Sequence, residues 1–294
     1  MPIRLTTDRE PRADRRGHAR VRTVGLAGRD AVVRVTDADV PAPLRRDGWW
    51  THAARMTHDG AIGSETPPDL AVPNDPSLAR AGARRIAAYL AGRYCAARAL
   101  AAAGVTAARV TAARVTAALP VGEAGAPLWP RGFVGSISHA PARAVAVVAR
   151  AERWRALGVD CEPVLPAAQA DEIAELTLPE ADDTEFADDA VAGDALTWPE
   201  FVTIGFSAKE TLYKALRPLV GLFFDFPDAR LTQLDRTARR VRLVLARDLA
   251  PGFARGAAFD VRFALADAHV HSCLALPHLP EPDAGGPTAP ECAP

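Results

Sequence analysis

The sequence predicts an α+β fold of two similar halves, each with one strong helix and a small antiparallel sheet. Two observations predict it. Each half of the chain has one strong helical segment, at residues 83–100 and at residues 206–216. Each of these segments is followed by several stretches of strand length, and helices followed by runs of strands are typical of α+β folds with antiparallel sheets.

Composition narrows the class of protein. Hydrophobic residues make up 49% of the 294 residues and charged residues 24%, which is ordinary for a globular protein. The 35 basic and 36 acidic side chains give a formal net charge of -1. A chain without an excess of basic residues lacks the field that nucleic-acid binding needs, so we expect no nucleic acid as a partner.

Cysteine usage and hydropathy indicate a cytoplasmic protein. Cys95, Cys161, Cys273 and Cys292 are scattered without CxxC spacing, which favours a reducing compartment over a disulfide framework or a zinc site. The N-terminus lacks the apolar core of a signal peptide, and no run of about eighteen apolar residues occurs, so we expect no membrane association.

We divide the chain into four parts by composition. Residues 1–20 are polar and Arg-rich and predict a flexible arm, and residues 281–294 are rich in Pro and Gly and predict a disordered tail. Between them we place an N-terminal α+β half at residues 21–155 and a C-terminal α+β half at residues 156–280. Within the first half, VTAA occurs three times at a period of five, which fits no helical face and is interpreted as a local expansion.

The elements of the first half follow from periodicity. Residues 78–104 are Ala-rich with apolar residues at helical spacing, and Gly104 provides a stop, so we expect a helix there. VGSISH and ARAVAVVARA then predict a turn and an apolar strand.

The second half opens with a short strand at ERWRALGVDCEP, followed by an acidic stretch at residues 165–200 that predicts a solvated helix and loop. At residues 206–216, FSAKETLYKAL, Ser207 and Glu210 have capping-box spacing and predict a helix start. Four segments of strand character complete the chain: DARLTQLD, RRVRLVLARD, AAFDVRFALADA and HVHSCLALP.

Carboxylates in GVDCEP and FSAKE form the first candidate site. Asp160 and Glu162 are two residues apart in a predicted strand and should project from one face. Two adjacent carboxylates repel unless a cation lies between them, and hard oxygen ligands suit Mg²⁺. Alone, this pair is better explained as a solvated strand end, and Glu210 as a cap. Together, the three could hold a metal ion.

Groups that could bind phosphate surround this candidate. GSISH supplies Ser138 and His139, whose hydroxyl and imidazole can donate to phosphate oxygens. Arg85 and Arg93 lie about two helical turns apart and could hold a phosphate with their guanidinium groups. Taken singly, each of these residues is better explained as an ordinary polar or charged residue on the surface. The same holds for Lys209 and Lys214. A serine hydrolase has little support because GxSxG is absent.

In their order along the chain, these motifs are much more specific. R-x7-R with AGRYCAARAL, GxxGxPxWPxGxxGSISH, GVDxEP, FSAKETLYKAL and FFDFPDARL resemble the 4'-phosphopantetheinyl transferases of the surfactin type, particularly the enterobactin synthetase component D branch. The resemblance runs from about residue 78 to about residue 276.

The resemblance implies a reaction and its residues. Asp160, Glu162 and Glu210 would coordinate Mg²⁺, or Mn²⁺, with Glu210 and Lys214 catalytic. Coenzyme A would be the co-substrate, and the residues that match the family's coenzyme A contacts are Arg85, Arg93, Ser138, His139, Lys209 and Lys214. The partner would be an apo carrier protein of a nonribosomal peptide, polyketide or fatty acid synthase, siderophore synthesis being one setting. The fold that the resemblance implies is a pseudo-dimer of two α+β halves, with coenzyme A in the cleft between them. Because one chain would form this cleft, a monomer would suffice.

Two departures from the family pattern stand out. Ala124 and Gly125 occupy a turn where the family often has a basic residue, and Ala88 stands where it often has Glu. Two other functions stay open at this point: a paralogue that binds carrier proteins or coenzyme A without catalysis, and a Mg²⁺-dependent phosphohydrolase that uses water as the nucleophile.

Overall fold

A computed structural model of the chain describes residues 3–6, 21–25, 32–59, 70–72, 83–105, 119–122, 125–141, 143–178 and 196–278. The VTAA repeats, Ala124, the tail from residue 281 and most of the predicted arm lie outside the described residues. Within that arm the structure describes one short strand, Ile3–Thr6.

Two antiparallel sheets form the centre of the molecule. The first has seven strands in the order β5-β1-β2-β3-β4-β7-β6, and the second has five in the order β8-β12-β11-β10-β9. The strands of the first sheet are β1 Ile3–Thr6, β2 Val21–Gly25, β3 Val32–Ala38, β4 Trp49–Asp59, β5 Leu70–Val72, β6 Phe133–Ala140 and β7 Arg143–Arg150. Those of the second are β8 Trp154–Pro163, β9 Ala229–Asp235, β10 Arg240–Leu245, β11 Ala258–Ala266 and β12 His269–Pro277.

Each sheet is covered by one long helix, so the layers run helix, sheet, sheet, helix. Helix α1, Ala83–Ala102, packs on β4, β6 and β7, and its buried alanines allow a close approach. A shorter helix, α2, spans Ala167–Thr177, and the long helix α3, Trp198–Val220, packs on β8 and β12. A third apolar cluster joins the inner faces of the two sheets. The predicted α+β fold with two antiparallel sheets is confirmed.

Helix α3 begins well before the predicted start at Ser207. Its N-cap is Thr197, whose hydroxyl accepts from the Glu200 amide while the Glu200 carboxylate accepts from the Thr197 amide. The sequence TWPE carries this capping box, with Pro199 in the first turn. The predicted Ser207–Glu210 capping box is therefore wrong, and Ser207 is a buried residue in the middle of the helix.

Gly158 sets the distance between β8 and α3. A Cβ at this position would lie 2.1 Å from the backbone oxygen of Thr211 on α3. Backbone cannot rotate away as a side chain can, so the close contact of strand and helix needs glycine here.

Gly158→Ala should therefore lower the free energy of unfolding by about 2–3 kcal/mol through overpacking, as measured by urea denaturation. Gly205→Ala is the matched control, because its Cβ would meet only the flexible end of Leu178. Equal effects of the two substitutions would contradict this role of Gly158.

His271 on β12 is a buried polar group between the two sheets. It is 3% exposed, and neither ring nitrogen has a hydrogen-bond partner in the described part of the chain. Burial, with Arg143 nearby, lowers the pKa of the imidazole to about 4. The folded state therefore keeps His271 neutral at a pH where the unfolded chain takes up a proton.

Because its folded pKa lies below the unfolded value of about 6.5, His271 should lower the free energy of unfolding as pH falls from about 6.5 to 4. The loss should be about 2–3 kcal/mol, at about 1.4 kcal/mol per pH unit. Denaturant unfolding at pH 7 and pH 4.5 measures it. His271→Leu should lose less stability over the same interval, and equal losses would show that another group is responsible.

Candidate active site

Asp160 on β8 lies at the centre of the site. Its carboxylate is completely buried and is held by groups from β6 and α3. The Ser138 hydroxyl donates to Oδ1 at 2.8 Å and the Lys214 ammonium donates to the same oxygen at 2.5 Å. The Ser207 hydroxyl donates to Oδ2 at 2.8 Å. A buried charge is tolerated only with such pairing, so β6, β8 and α3 are tied together at this one side chain.

Two serines of GSISH bridge the edges of the two sheets. β6 and β8 are each the edge strand of their own sheet. The Ser136 hydroxyl accepts from the Val159 amide at 3.0 Å, and the Ser138 hydroxyl accepts from the Cys161 amide at 3.3 Å. Serines two apart on β6 thus satisfy amides two apart on β8, as the period of a strand requires.

Ser138, which the sequence predicts as a phosphate contact, is bonded to groups of the protein itself. It is only 3% exposed, and its hydroxyl already bonds to Asp160, Lys214 and the Cys161 amide. In this structure Ser138 acts within the protein by orienting the Asp160 carboxylate.

Hydroxyl groups on α3 face the same carboxylate. Ser207, Thr211 and Lys214 recur at helical spacing, so they share one face of the helix. Ser272 on β12, whose backbone is paired with Asp160, lies 2.7 Å from the Ser207 hydroxyl and 2.6 Å from that of Thr211. Serine and threonine at these positions link the helix to both strands through a buried polar network.

Glu162 and Glu210 add negative charge beside Asp160. Burial raises the pKa of Glu162 to about 8, and the Asp160 and Glu210 carboxylates add to the rise. Burial also raises the pKa of Glu210, again with a contribution from Asp160. Burial alone would lower the pKa of Lys214, but Asp160, Glu210 and Glu162 outweigh it and raise that pKa. One ammonium among three carboxylates leaves negative charge uncompensated, which favours binding of a further cation.

The predicted metal ligands are brought to one place but are not arranged around a common point. Within the described ranges, no group of three or more His, Cys, Asp or Glu side chains is placed to hold a metal ion. One of the predicted ligand oxygens, Asp160 Oδ1, instead accepts a hydrogen bond from the Lys214 ammonium. The carboxylate oxygens and the uncompensated negative charge nevertheless suit a hard dication such as Mg²⁺.

Lys209 has a structural contact that the sequence did not indicate. It is 4% exposed, and its ammonium donates to the Phe226 carbonyl at 3.0 Å. This bond ties α3 to the short 3-10 helix Phe226–Asp228. Lys209 is therefore buried against protein groups and is not a surface charge.

The remaining predicted phosphate contacts lie on the α1 side of β6. His139 is exposed, and the pKa of its imidazole is lowered by partial burial and by the Lys214 charge, with a smaller effect of Arg85. Arg85 is exposed, whereas Arg93 is 8% exposed with its guanidinium 4.9 Å from the centre of the Tyr89 ring. Arg93 Nη1 is buried without a hydrogen-bond partner in the described part of the chain.

A cavity of about 200 Å³ opens beside Glu210, and sequence reasoning did not predict it. Its walls are largely aromatic, and the FFDFPDARL motif supplies most of them. The lining residues are Lys209, Glu210, Tyr213, Phe223, Phe224, Asp225, Phe226 and Ala229.

Comparison with known proteins shows which family this chain resembles. Residues 74–149 match the 4'-phosphopantetheinyl transferase N-terminal domain, and residues 156–266 match the 4'-phosphopantetheinyl transferase superfamily. The first range contains Arg85, Arg93, Ser138 and His139, and the second contains the carboxylates and both lysines. The family resemblance carried by the ordered motifs is confirmed.

The chain is also similar to individual proteins. The chain is 34% identical to enterobactin synthase component D of Salmonella typhi over 178 residues, which is 60% of this chain and 67% of that protein. It is 38% identical to 4'-phosphopantetheinyl transferase Npt of Nocardia iowensis over 39% of this chain and 48% of the relative. It is 39% identical to 4'-phosphopantetheinyl transferase PptT of Mycobacterium tuberculosis over 42% of this chain and 52% of the relative.

Ser207→Ala should lower the free energy of unfolding by about 1–3 kcal/mol, because the buried Asp160 loses a donor. Helix content should stay unchanged in far-UV circular dichroism, because Thr197 caps α3. Urea denaturation of a double-mutant cycle with Asp160→Asn checks the contact, since coupled residues give non-additive costs. Additive costs would contradict it.

Proposed function

The chain belongs to the 4'-phosphopantetheinyl transferase superfamily, and on this premise we propose that it transfers the 4'-phosphopantetheine group of coenzyme A to a serine hydroxyl of an apo carrier protein. The observation that carries the proposal is the proximity of Asp160, Glu210 and Glu162 to Lys214, whose pKa all three carboxylates raise. These residues come from two separated motifs that α3 and β8 bring together. In the reaction a phosphorus–oxygen bond forms to the carrier serine and the diphosphate bond of coenzyme A breaks.

Asp160, Glu162 and Glu210 would hold Mg²⁺, with Mn²⁺ as a substitute. The support is the charge of the site, in which burial, with repulsion from the neighbouring carboxylates, raises the pKa of Glu162 to about 8. When bound, a dication would neutralise charge on the diphosphate of coenzyme A. In the structure the Lys214 ammonium compensates part of the negative charge of these carboxylates.

Glu210 is the proposed base for the carrier serine. Its carboxylate lies at the edge of the aromatic cavity and makes no side-chain hydrogen bond to any other described residue. A raised pKa makes it a better proton acceptor near neutral pH. The Lys214 ammonium, kept protonated by its carboxylate neighbours, would stabilise the charge on the departing adenosine bisphosphate.

The other predicted residues have binding or positioning roles in this proposal. His139, Arg85 and Arg93 would contact the adenosine phosphates from the α1 side. Ser138 would position Asp160, and Lys209 would position the wall of the aromatic cavity. That cavity, beside the base, would accept the apolar part of the pantetheine arm.

The setting of the reaction is also part of the proposal. None of the helices in the described part of the chain is long and apolar enough to span a membrane. We infer a cytoplasmic monomer, because one chain supplies both faces of the cleft. Carrier proteins of nonribosomal peptide, polyketide or fatty acid synthases are the proposed partners, and the similarity to enterobactin synthase component D favours siderophore synthesis.

Intact-mass spectrometry of an apo carrier protein, incubated with the chain, coenzyme A and Mg²⁺, tests the proposal. The carrier should gain one phosphopantetheine group, and Glu210→Gln should slow the transfer about 100-fold or more, as expected for loss of a general base. Glu175→Gln, an exposed carboxylate on α2, is the matched control and should react at the normal rate.

Two other outcomes would replace the proposal. Coenzyme A binding without an adduct on any of several carriers would indicate the non-catalytic paralogue. Phosphate release without a carrier would indicate the phosphohydrolase. A Glu210→Gln variant as active as the control would remove Glu210 as the base.

A further inference from the structure

A second cavity of the described structure lies away from the candidate active site. It has a volume of about 590 Å³ and opens between the segment around the short 3-10 helix Ala42–Leu44 and the turn that joins β9 to β10. Five arginines from four separate segments of the chain line it: Arg45, Arg46, Arg153, Arg239 and Arg262.

Positive charge is concentrated around this cavity. Asp47 is the only acidic residue that lines it among those described, so the walls carry a net charge of about +4 in a chain whose total is -1. None of the five arginines lies within ion-pair distance of a carboxylate in the described part of the chain. Arg240, Arg242 and Arg247 of the same sheet region, in contrast, all pair with aspartates. Unpaired like charges facing one cavity favour binding of an anion.

Several of these arginines are held in place by the fold. The guanidinium of Arg46 lies 5.2 Å from the centre of the Trp49 ring, and that of Arg153 lies 5.4 Å from the Trp154 ring. Arg45 Nε donates to the Val40 carbonyl at 2.6 Å. Trp154 also lines the cavity, and its indole Nε1 has no hydrogen-bond partner within the described ranges.

Arg239 adds a backbone feature. It has a φ of 51°, which is uncommon for a residue other than glycine, and its carbonyl accepts from the Phe263 amide at 3.0 Å. The tight turn between β9 and β10 therefore presents this side chain beside that of Arg262 on β11.

The cavity is distinct from the carboxylate cluster. It contacts β8 at Trp154, and Asp160 lies about 20 Å further along the strand at about 3.3 Å per residue. No member of the carboxylate cluster lines the cavity. Its residues 42–47, 153 and 154 also lie outside both ranges that match the family.

We propose that this cavity is a second anion site that binds a compound with two or more linked phosphate groups. A guanidinium pairs with phosphate through two parallel hydrogen bonds, so several arginines can share a chain of phosphates. A net charge of about +4 exceeds what a single phosphate neutralises, whereas a triphosphate chain matches it. The volume is that of an ordinary small-molecule site. Inorganic polyphosphate and nucleoside triphosphates share this chemistry.

Isothermal titration calorimetry with inorganic tripolyphosphate tests the site. The titration uses the full chain with EDTA and saturating coenzyme A, so that the proposed coenzyme A site is already filled. We expect one tripolyphosphate per chain and at least 10-fold weaker binding of orthophosphate. Arg239→Gln with Arg262→Gln should raise the Kd for tripolyphosphate at least 10-fold.

The matched control is Arg230→Gln with Arg255→Gln, which removes the same charge from exposed positions outside the cavity and should leave the Kd unchanged. Thermal unfolding without ligand shows whether each variant is folded, and Arg45→Gln serves as a second probe, with an expected 3-fold or greater rise in Kd. Titration with ATP separates the two sources of phosphate. If ATP and tripolyphosphate bind with equal affinity, the phosphate chain alone is recognised. If ATP binds more tightly, and Arg239→Gln with Arg262→Gln abolishes that binding, the ligand is a nucleotide.

Three results would overturn the proposal: no saturable binding to the unmodified chain, equal weakening in the control variant, or binding of tripolyphosphate only when coenzyme A is left out. Transfer activity is not part of the readout, so failure of this site and failure of the proposed transferase function can be told apart.

Discussion

The buried carboxylate of Asp160 is the interaction on which the described site depends. It needs several donors because it has no contact with water, and those donors come from β6 and α3. The two halves of the chain and the long helix are therefore fixed relative to one another by the same group that anchors the candidate active site. Removal of one donor leaves the others around an incompletely satisfied charge, which costs more than a surface hydrogen bond would.

Much of the fold could be predicted from the sequence. The helix around AGRYCAARAL and the four C-terminal strands follow from simple periodicity, and Gly104 ends α1 with a φ of 78° as a stop residue should. The start of α3 could not be predicted from FSAKE alone, because Ser207 and Glu210 have the spacing of a capping box in any helix. The second capping box at Thr197, with Pro199 in its first turn, was the stronger indication.

The carboxylates and the lysine that the sequence singled out lie near one another, but their arrangement was not predicted. Glu162, Glu210 and Lys214 have raised pKa values, to which burial of the two glutamates and neighbouring charges, that of Asp160 among them, contribute. Ser138 and Lys209 have the residue types of phosphate contacts, yet both are buried and bonded to protein groups. Polar residues in a motif show that a polar partner exists. Whether that partner is a ligand, a carboxylate or a backbone carbonyl depends on packing between elements that are far apart in sequence.

The way β6 and β8 meet has a consequence for how the chain could have evolved and how it could be divided. Two edge amides of β8, those of Val159 and Cys161, donate to serine hydroxyls of β6 across the boundary between the sheets, in place of a continuous ladder. Either half alone would present an open strand edge with free amides, the usual template for strand-to-strand aggregation. Solubility of one half thus depends on the presence of the other, and this dependence favours keeping both in a single polypeptide.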